Sequence, residues 1–153
     1  IDYVALRYGN VYGPRQNYLS EAGVIAIFIS RILQDKECII FGDGEQTRDF
    51  IFIEDVVEAN ILFMKNEITG VFNVGTGIET SVNKIFEIIK ENIGKDCRKI
   101  YGEERKGELK RSCLSIDKIK KETGWYPKYK IEEGIKKTIE WFLQKKLGFL
   151  VRR

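Results

Sequence analysis

Three charged residues, Arg48, Arg105 and Glu108, have the types and settings best suited to holding a charged ligand in this chain of 153 residues. Arg48 follows a turn-rich run, "GDGEQTRDF" (42–50), and Arg105 and Glu108 flank Gly107 in "ERKGELKR" (104–111). A guanidinium is a planar two-pronged donor for phosphate oxygens. A carboxylate nearby can accept from hydroxyl groups, so the two could converge on one ligand. The bland alternative is a solvated loop, with Arg48 paired on the surface to Asp43, Glu45 or Asp49. A third polar stretch, "GNVYGPRQ" (9–16), carries Asn10, Tyr12, Arg15 and Gln16 just beyond a strand, where ligands bind in open α/β sheets. It reads equally as a structural loop turned by Asn10 and Pro14.

Other patterns carry less. "GTG" (75–77) lacks the third glycine of a dinucleotide fingerprint and reads as a tight turn between strand and helix. Tyr126 and Lys130 have the YxxxK spacing of an oxidoreductase pair, which needs both side chains on one helix face. Pro127 between them and Gly124 before them deny that helix. The chain has no histidine, which excludes a Ser-His-Asp triad, a Cys-His pair and a histidine-ligated metal within it. Cys38, Cys97 and Cys113 are odd in number and form no CxxC, so neither a disulfide framework nor a zinc site is expected. They suit a reducing, cytoplasmic setting.

These residues must be placed by a single domain of ordinary composition, 43% hydrophobic and 32% charged. A net charge of +3 with scattered lysines and glutamates argues against a nucleic-acid partner, and no apolar run is long enough for a membrane span. "YVALRY" (3–8) alternates as a strand. Apolar residues at 24, 25, 28, 29, 32 and 33 predict an amphipathic helix over 21–35 with Ser20 as its N-cap. Short strands are expected at 38–41 and 50–53, a helix at 54–65, and a strand at 71–74 running into the glycine turn. Ser81 should cap the next helix. A strand at 99–101, a short helix from Ser115 to Gly124 and a final helix from about 131 complete an α/β alternation.

In this order, "LRYGNVYGPRQ", "IIFGDGEQTRDFIFIEDVVEA", "FNVGTG" and "TGWYPKYKIEEGI" resemble the C-terminal half of an extended short-chain dehydrogenase/reductase of the nucleotide-sugar epimerase/dehydratase kind, most like UDP-glucose 4-epimerase. The resemblance implies an α/β, Rossmann-type substrate-binding part spanning 1–153, with two late strands of the cofactor sheet (about 3–7 and 71–74) expected to lack sheet partners. It implies that the NAD-binding half, with its glycine loop and catalytic YxxxK, lies outside this chain. Position by position, Tyr8 resembles the residue beside the nicotinamide and Asn10 the amide on the substrate diphosphate. Val24 resembles the residue at the uracil, and Ile39 and Phe41 the strand lining the nucleoside. Arg48 and Arg105 resemble the diphosphate clamps and Glu108 the acid on the ribose. Ser112 stands where some epimerases have a tyrosine near the sugar, which leaves the sugar open. NAD as cofactor, a UDP-sugar as substrate and a homodimer follow by the same resemblance. UDP-glucuronate decarboxylase, dTDP-glucose 4,6-dehydratase and a noncatalytic binding module are the alternatives.

Overall fold

The computed structural model describes residues 2–19 and 23–150, with side chains to residue 145. Its strands are β1 (Val4–Tyr8), β2 (Asn10–Tyr12), β3 (Cys38–Phe41), β4 (Thr47–Phe52), β5 (Gly70–Val74), β6 (Glu79–Ser81), β7 (Lys99–Gly102) and β8 (Arg111–Ser112). Its helices are α1 (Val24–Leu33), α2 (Ile53–Lys65), α3 (Val82–Ile93), α4 (Asp117–Thr123) and α5 (Ile131–Leu150).

Three small sheets result. β1 and β5 pair in parallel, in register from Val4 and Gly70 to Tyr8 and Val74. The two strands expected to lack sheet partners therefore have each other, while the outer edge of each is unpaired among the described residues. β3 and β7 form a second parallel pair. β4 is central to the third sheet and changes partners along its length. Its last three residues pair with β2, its first three with β6, and its first two also with β8.

Successive side chains on a strand point to opposite faces, and β4 uses this to divide the interior in two. Phe50 and Phe52 enter one core with Tyr12, Phe28, Phe86 and Ile135. Ile51 enters the other with Val56, Phe63, Phe72, Ile119 and Trp125. Both faces are buried, which is why "FIF" is continuously apolar.

The helices follow their predicted stripes. On α1, Ile25, Phe28, Ile29 and Ile32 are buried, and Phe28 meets Phe86 of α3 edge to face at 5.8 Å between ring centroids. Gly23 precedes α1 without a side-chain cap; the Ser20 expected there lies outside the described residues. Ser81 Oγ accepts from Lys84 N–H at 3.2 Å and caps α3, and Gly94 closes it at φ 67°. Gly124, at φ 71°, ends α4 and turns Trp125 into the second core. α4 starts at Asp117, two residues after the Ser115 expected to open it, with Ser115 Oγ bonded to Asp117.

Residues 124–130 form no helix, so Tyr126 and Lys130 share no helix face. The 124–130 segment is held instead by Asp55 in the first turn of α2, which accepts from the backbone N–H groups of Lys128 (2.8 Å) and Tyr129 (3.3 Å). Asp55 is fully buried, and burial pushes its carboxyl above the usual range against the opposite pull of those donors.

Candidate functional site

β2, β3, β4 and the start of α1 converge around a cavity of about 430 Å³, a size typical of small-molecule sites. Seven of the eight residues singled out from sequence line it: Asn10, Val24, Ile39, Phe41, Arg48, Arg105 and Glu108. They come from five separate stretches of chain. The eighth, Tyr8, stands apart at the carboxyl end of β1, where its hydroxyl donates to Asn60 Oδ1 at 3.0 Å.

Each wall has a local cause. Asn10 opens β2 because Gly9 permits a close crossing: a Cβ there would come within 2.7 Å of the Asp49 carbonyl. Val24 is the first residue of α1, whose leading N–H groups have no side-chain cap among the described residues. Such a helix start is a natural site for anions or carbonyl oxygens. Ile39, 43% exposed between the buried Cys38 and Ile40, and the half-buried Phe41 form an apolar wall.

Arg48 does not sit in a loop, as its turn-rich approach suggested, but inside β4. Nor do the neighbouring acids hold it. Its Nη1 donates at 2.7 Å to the carbonyls of Thr47 and Leu109, and its Nη2 reaches Glu108 Oε1 at 3.1 Å. One guanidinium thereby ties the 103–110 segment to the sheet. Arg105, on that segment, stacks its guanidinium 4.0 Å from the centre of the Phe41 ring and makes no ion pair with a described residue. With Arg31, which also lines the cavity, three guanidiniums face one carboxylate, so the site favours an anion.

Three lining or supporting residues escaped the sequence reading. Gln46 lines the cavity and donates to the Phe41 carbonyl at 2.9 Å, while its own Oε1 is buried without a partner among the described residues. Arg31 bonds the Glu37 carbonyl from the end of α1. Asp49, only 2% exposed, accepts from Thr76 N–H (2.8 Å), Thr76 Oγ1 (2.6 Å), Gly77 N–H (3.0 Å) and Leu114 N–H (3.3 Å). The signal for Asp49 lay in the glycines beside it, since a Cβ on Gly75 would strike its carboxylate.

That arrangement decides the role of "GTG". The N–H groups of Thr76 and Gly77 are already committed to Asp49, so the turn is structural and offers no phosphate cradle. Among the described residues the carboxyl edge of the β1–β5 pair supplies Tyr8, which is 44% exposed, and so fits one aromatic wall of a dinucleotide site.

The sequence profile of the NAD dependent epimerase/dehydratase family matches residues 1–75. A solved UDP-glucose 4-epimerase from Thermotoga maritima, with UDP-glucose, is 47% identical and superposes with a TM-score of 0.92 over 95% of this chain and 47% of that one. The chain is similar to members of this family over nearly its whole length. A UDP-glucose 4-epimerase from Mycolicibacterium smegmatis is 42% identical over 137 residues, 89% of this chain and 44% of that protein. The dTDP-D-glucose 4,6-dehydratase of Bos taurus is 38% identical over 147 residues, 91% of this chain and 40% of the relative. The chain thus spans about half the length of these relatives, and its fold is the corresponding part of a Rossmann-type member of the family. No described helix is long and apolar enough to cross a membrane.

Proposed function

We propose that this chain is the substrate-binding part of an NAD-dependent UDP-glucose 4-epimerase and that the 430 Å³ cavity holds the nucleoside diphosphate of a UDP-sugar. The observation that carries the reading is the meeting, in one cavity, of two guanidiniums from distant segments with an apolar wall and a helix start that no described side chain caps. A nucleotide presents that combination of needs: a flat, partly apolar base, a ribose with hydroxyl donors, and two phosphates.

In this reading the base lies against Val24, Ile39 and Phe41, with its carbonyl oxygens toward the N–H groups of α1. Glu108 accepts from the ribose. Arg105 and the Nη2 arm of Arg48 take the diphosphate with the Asn10 amide, and Nη1 of Arg48 goes on holding the Leu109 carbonyl. Binding therefore separates the Arg48–Glu108 pair of the present structure and gives each member a ligand partner. Anchoring the nucleotide this firmly leaves the sugar free to turn, which an exchange at C4 through a 4-keto intermediate requires.

Tyr8 is assigned to one side of the nicotinamide. When bound, NAD supplies the acceptance and return of the C4 hydride. The groups that would move the proton belong to the other half of such an enzyme, so this chain is expected to position substrate and to show no turnover alone. A cytoplasmic, homodimeric parent enzyme completes the proposal.

The 38% identity to a dTDP-D-glucose dehydratase supports a second reading, in which the parent is a dehydratase or decarboxylase using the same nucleotide site. Ser112 pairs with Arg48 across β8 and β4, close to where the sugar would emerge, so it is the position at which the two readings would differ.

Calorimetric titration with UDP tests the site. Binding by the chain, weakened roughly 10- to 150-fold in Arg48→Ala or Arg105→Ala, is expected from the ~1.5–3 kcal/mol of a charged hydrogen bond. Equal affinity in both variants refutes the clamp.

A further inference from the structure

We propose that Cys38 and Cys97 form an oxidisable dithiol that, as a disulfide, joins β3 to the segment entering β7. Fifty-nine residues separate them in sequence, yet their sulfurs lie 3.8 Å apart, with the Cys97 thiol donating to Cys38. The parallel ladder causes the meeting. Cys38 is in register with Lys99 and donates its N–H to the Arg98 carbonyl at 2.9 Å. Cys97 lies two residues before Lys99, the spacing that returns a side chain to the same face of a strand.

The two thiols differ in access. Cys38 has no exposed surface, and burial together with the neighbouring Cys97 pushes its thiol up to about 12. Cys97 is half-buried and lies where the loop opens to solvent, so an oxidant meets it first. A hydroperoxide is the matching class of oxidant. Its O–O bond breaks as the Cys97 sulfur takes one oxygen to give a sulfenic acid, and the other oxygen leaves as water or an alcohol. The Cys38 sulfur then attacks the sulfenic sulfur, the S–S bond forms, and the sulfenic oxygen leaves as water with the Cys38 proton. Two thiols and one hydroperoxide thereby give one disulfide, one water and one further water or alcohol.

The bond would close a long loop and remove freedom from the unfolded chain. β3 continues from Cys38 into Ile39 and Phe41, so the bond would also pin one end of the cavity wall. Cys113, exposed and following β8 on the β4 sheet rather than the β3–β7 pair, is an internal control.

The test treats the full chain with hydrogen peroxide and maps its peptides without reduction. A Cys38–Cys97-linked pair of peptides is expected, lighter by two hydrogens than its reduced parts. The thermal midpoint should rise by about 5 °C or more and return to its starting value with dithiothreitol. Cys97→Ser should show neither the link nor the rise. The proposal is overturned if Cys97 ends as a sulfinic acid or in a link between chains while Cys38 stays a free thiol. A linked pair with no change in midpoint overturns the stabilising role.

Discussion

Replacing Asp49 by alanine should be among the most damaging single changes outside the apolar cores. Its carboxylate takes hydrogen bonds from three backbone N–H groups and one hydroxyl, at 2.6–3.3 Å, in a position only 2% exposed. Those donors belong to two different segments, the Gly75–Gly77 turn after β5 and the chain leaving β8, so one side chain fastens both to β4. A hydrogen bond to a charged acceptor is worth ~1.5–3 kcal/mol, and the buried donors left behind carry their own desolvation cost. Alanine also leaves space for water, and bonds to one acceptor are not additive. The expected loss is therefore ~3–5 kcal/mol rather than the full sum. Urea unfolding followed by tryptophan fluorescence, to which Trp125 in the second core and Trp141 beside the first both contribute, reads this directly. With a slope of about 2 kcal/mol per molar urea, the midpoint should fall by roughly 1.5–2.5 M. Thr76→Val removes only the hydroxyl, which also accepts from the Ile78 N–H, and should cost ~1–2 kcal/mol. It also closes a double-mutant cycle with Asp49→Ala in which the two losses fall short of adding. A loss below ~1 kcal/mol for Asp49→Ala would refute the account of this turn as a carboxylate-centred structural joint.

Gly134→Val should destabilise the chain, because any Cβ on that residue of α5 collides with the Tyr12 hydroxyl and comes within 2.9 Å of Phe52; a lowered thermal midpoint checks it. Glu79 is held at about 2 by hydrogen bonds from Arg111 and then Thr47, against an ordinary value of 4.5. Its contribution to stability is therefore complete above about pH 4.5 and is lost as pH falls toward 2, so acid unfolding should be less steep in that window for Glu79→Gln, as a pH series of urea midpoints would show. Arg48→Lys keeps the charge but loses the fork that holds both Leu109 and Glu108, so UDP affinity should fall nearly as far as in Arg48→Ala when both are titrated calorimetrically.

Most of the architecture was legible because its elements are apolar and periodic. The α1 stripe, the Ser81 cap, Gly124 at the end of α4 and the strand at 38–41 all follow from spacing alone, as does the strand expected at 99–101, which runs one residue further. Strands β2, β6 and β8 were not foreseen, since they are two or three residues long, and β6 and β8 are polar. β4 begins at Thr47 rather than Phe50 because the three polar residues at its start pair with β6, and two of them, Thr47 and Arg48, also pair with β8. The candidate site was legible for a different reason. Asn10, Arg48, Arg105 and Glu108 are ordinary surface types, and four ordered motifs were needed to single them out. Asp49 and Asp55 stayed hidden because a charged residue beside others reads as surface until its backbone donors, 27 and 73 residues away, are in place.

The central claim is that the cavity between α1, β3 and the 103–110 segment receives a nucleoside diphosphate. An amide-resolved NMR titration of the full chain with UDP tests it most directly. Saturable shifts are expected at Asn10, Val24, Ile39, Phe41, Arg105 and Glu108, with the Gly75–Gly77 turn unmoved. Shifts confined to that turn, or no shift along the cavity walls at millimolar UDP, would contradict it.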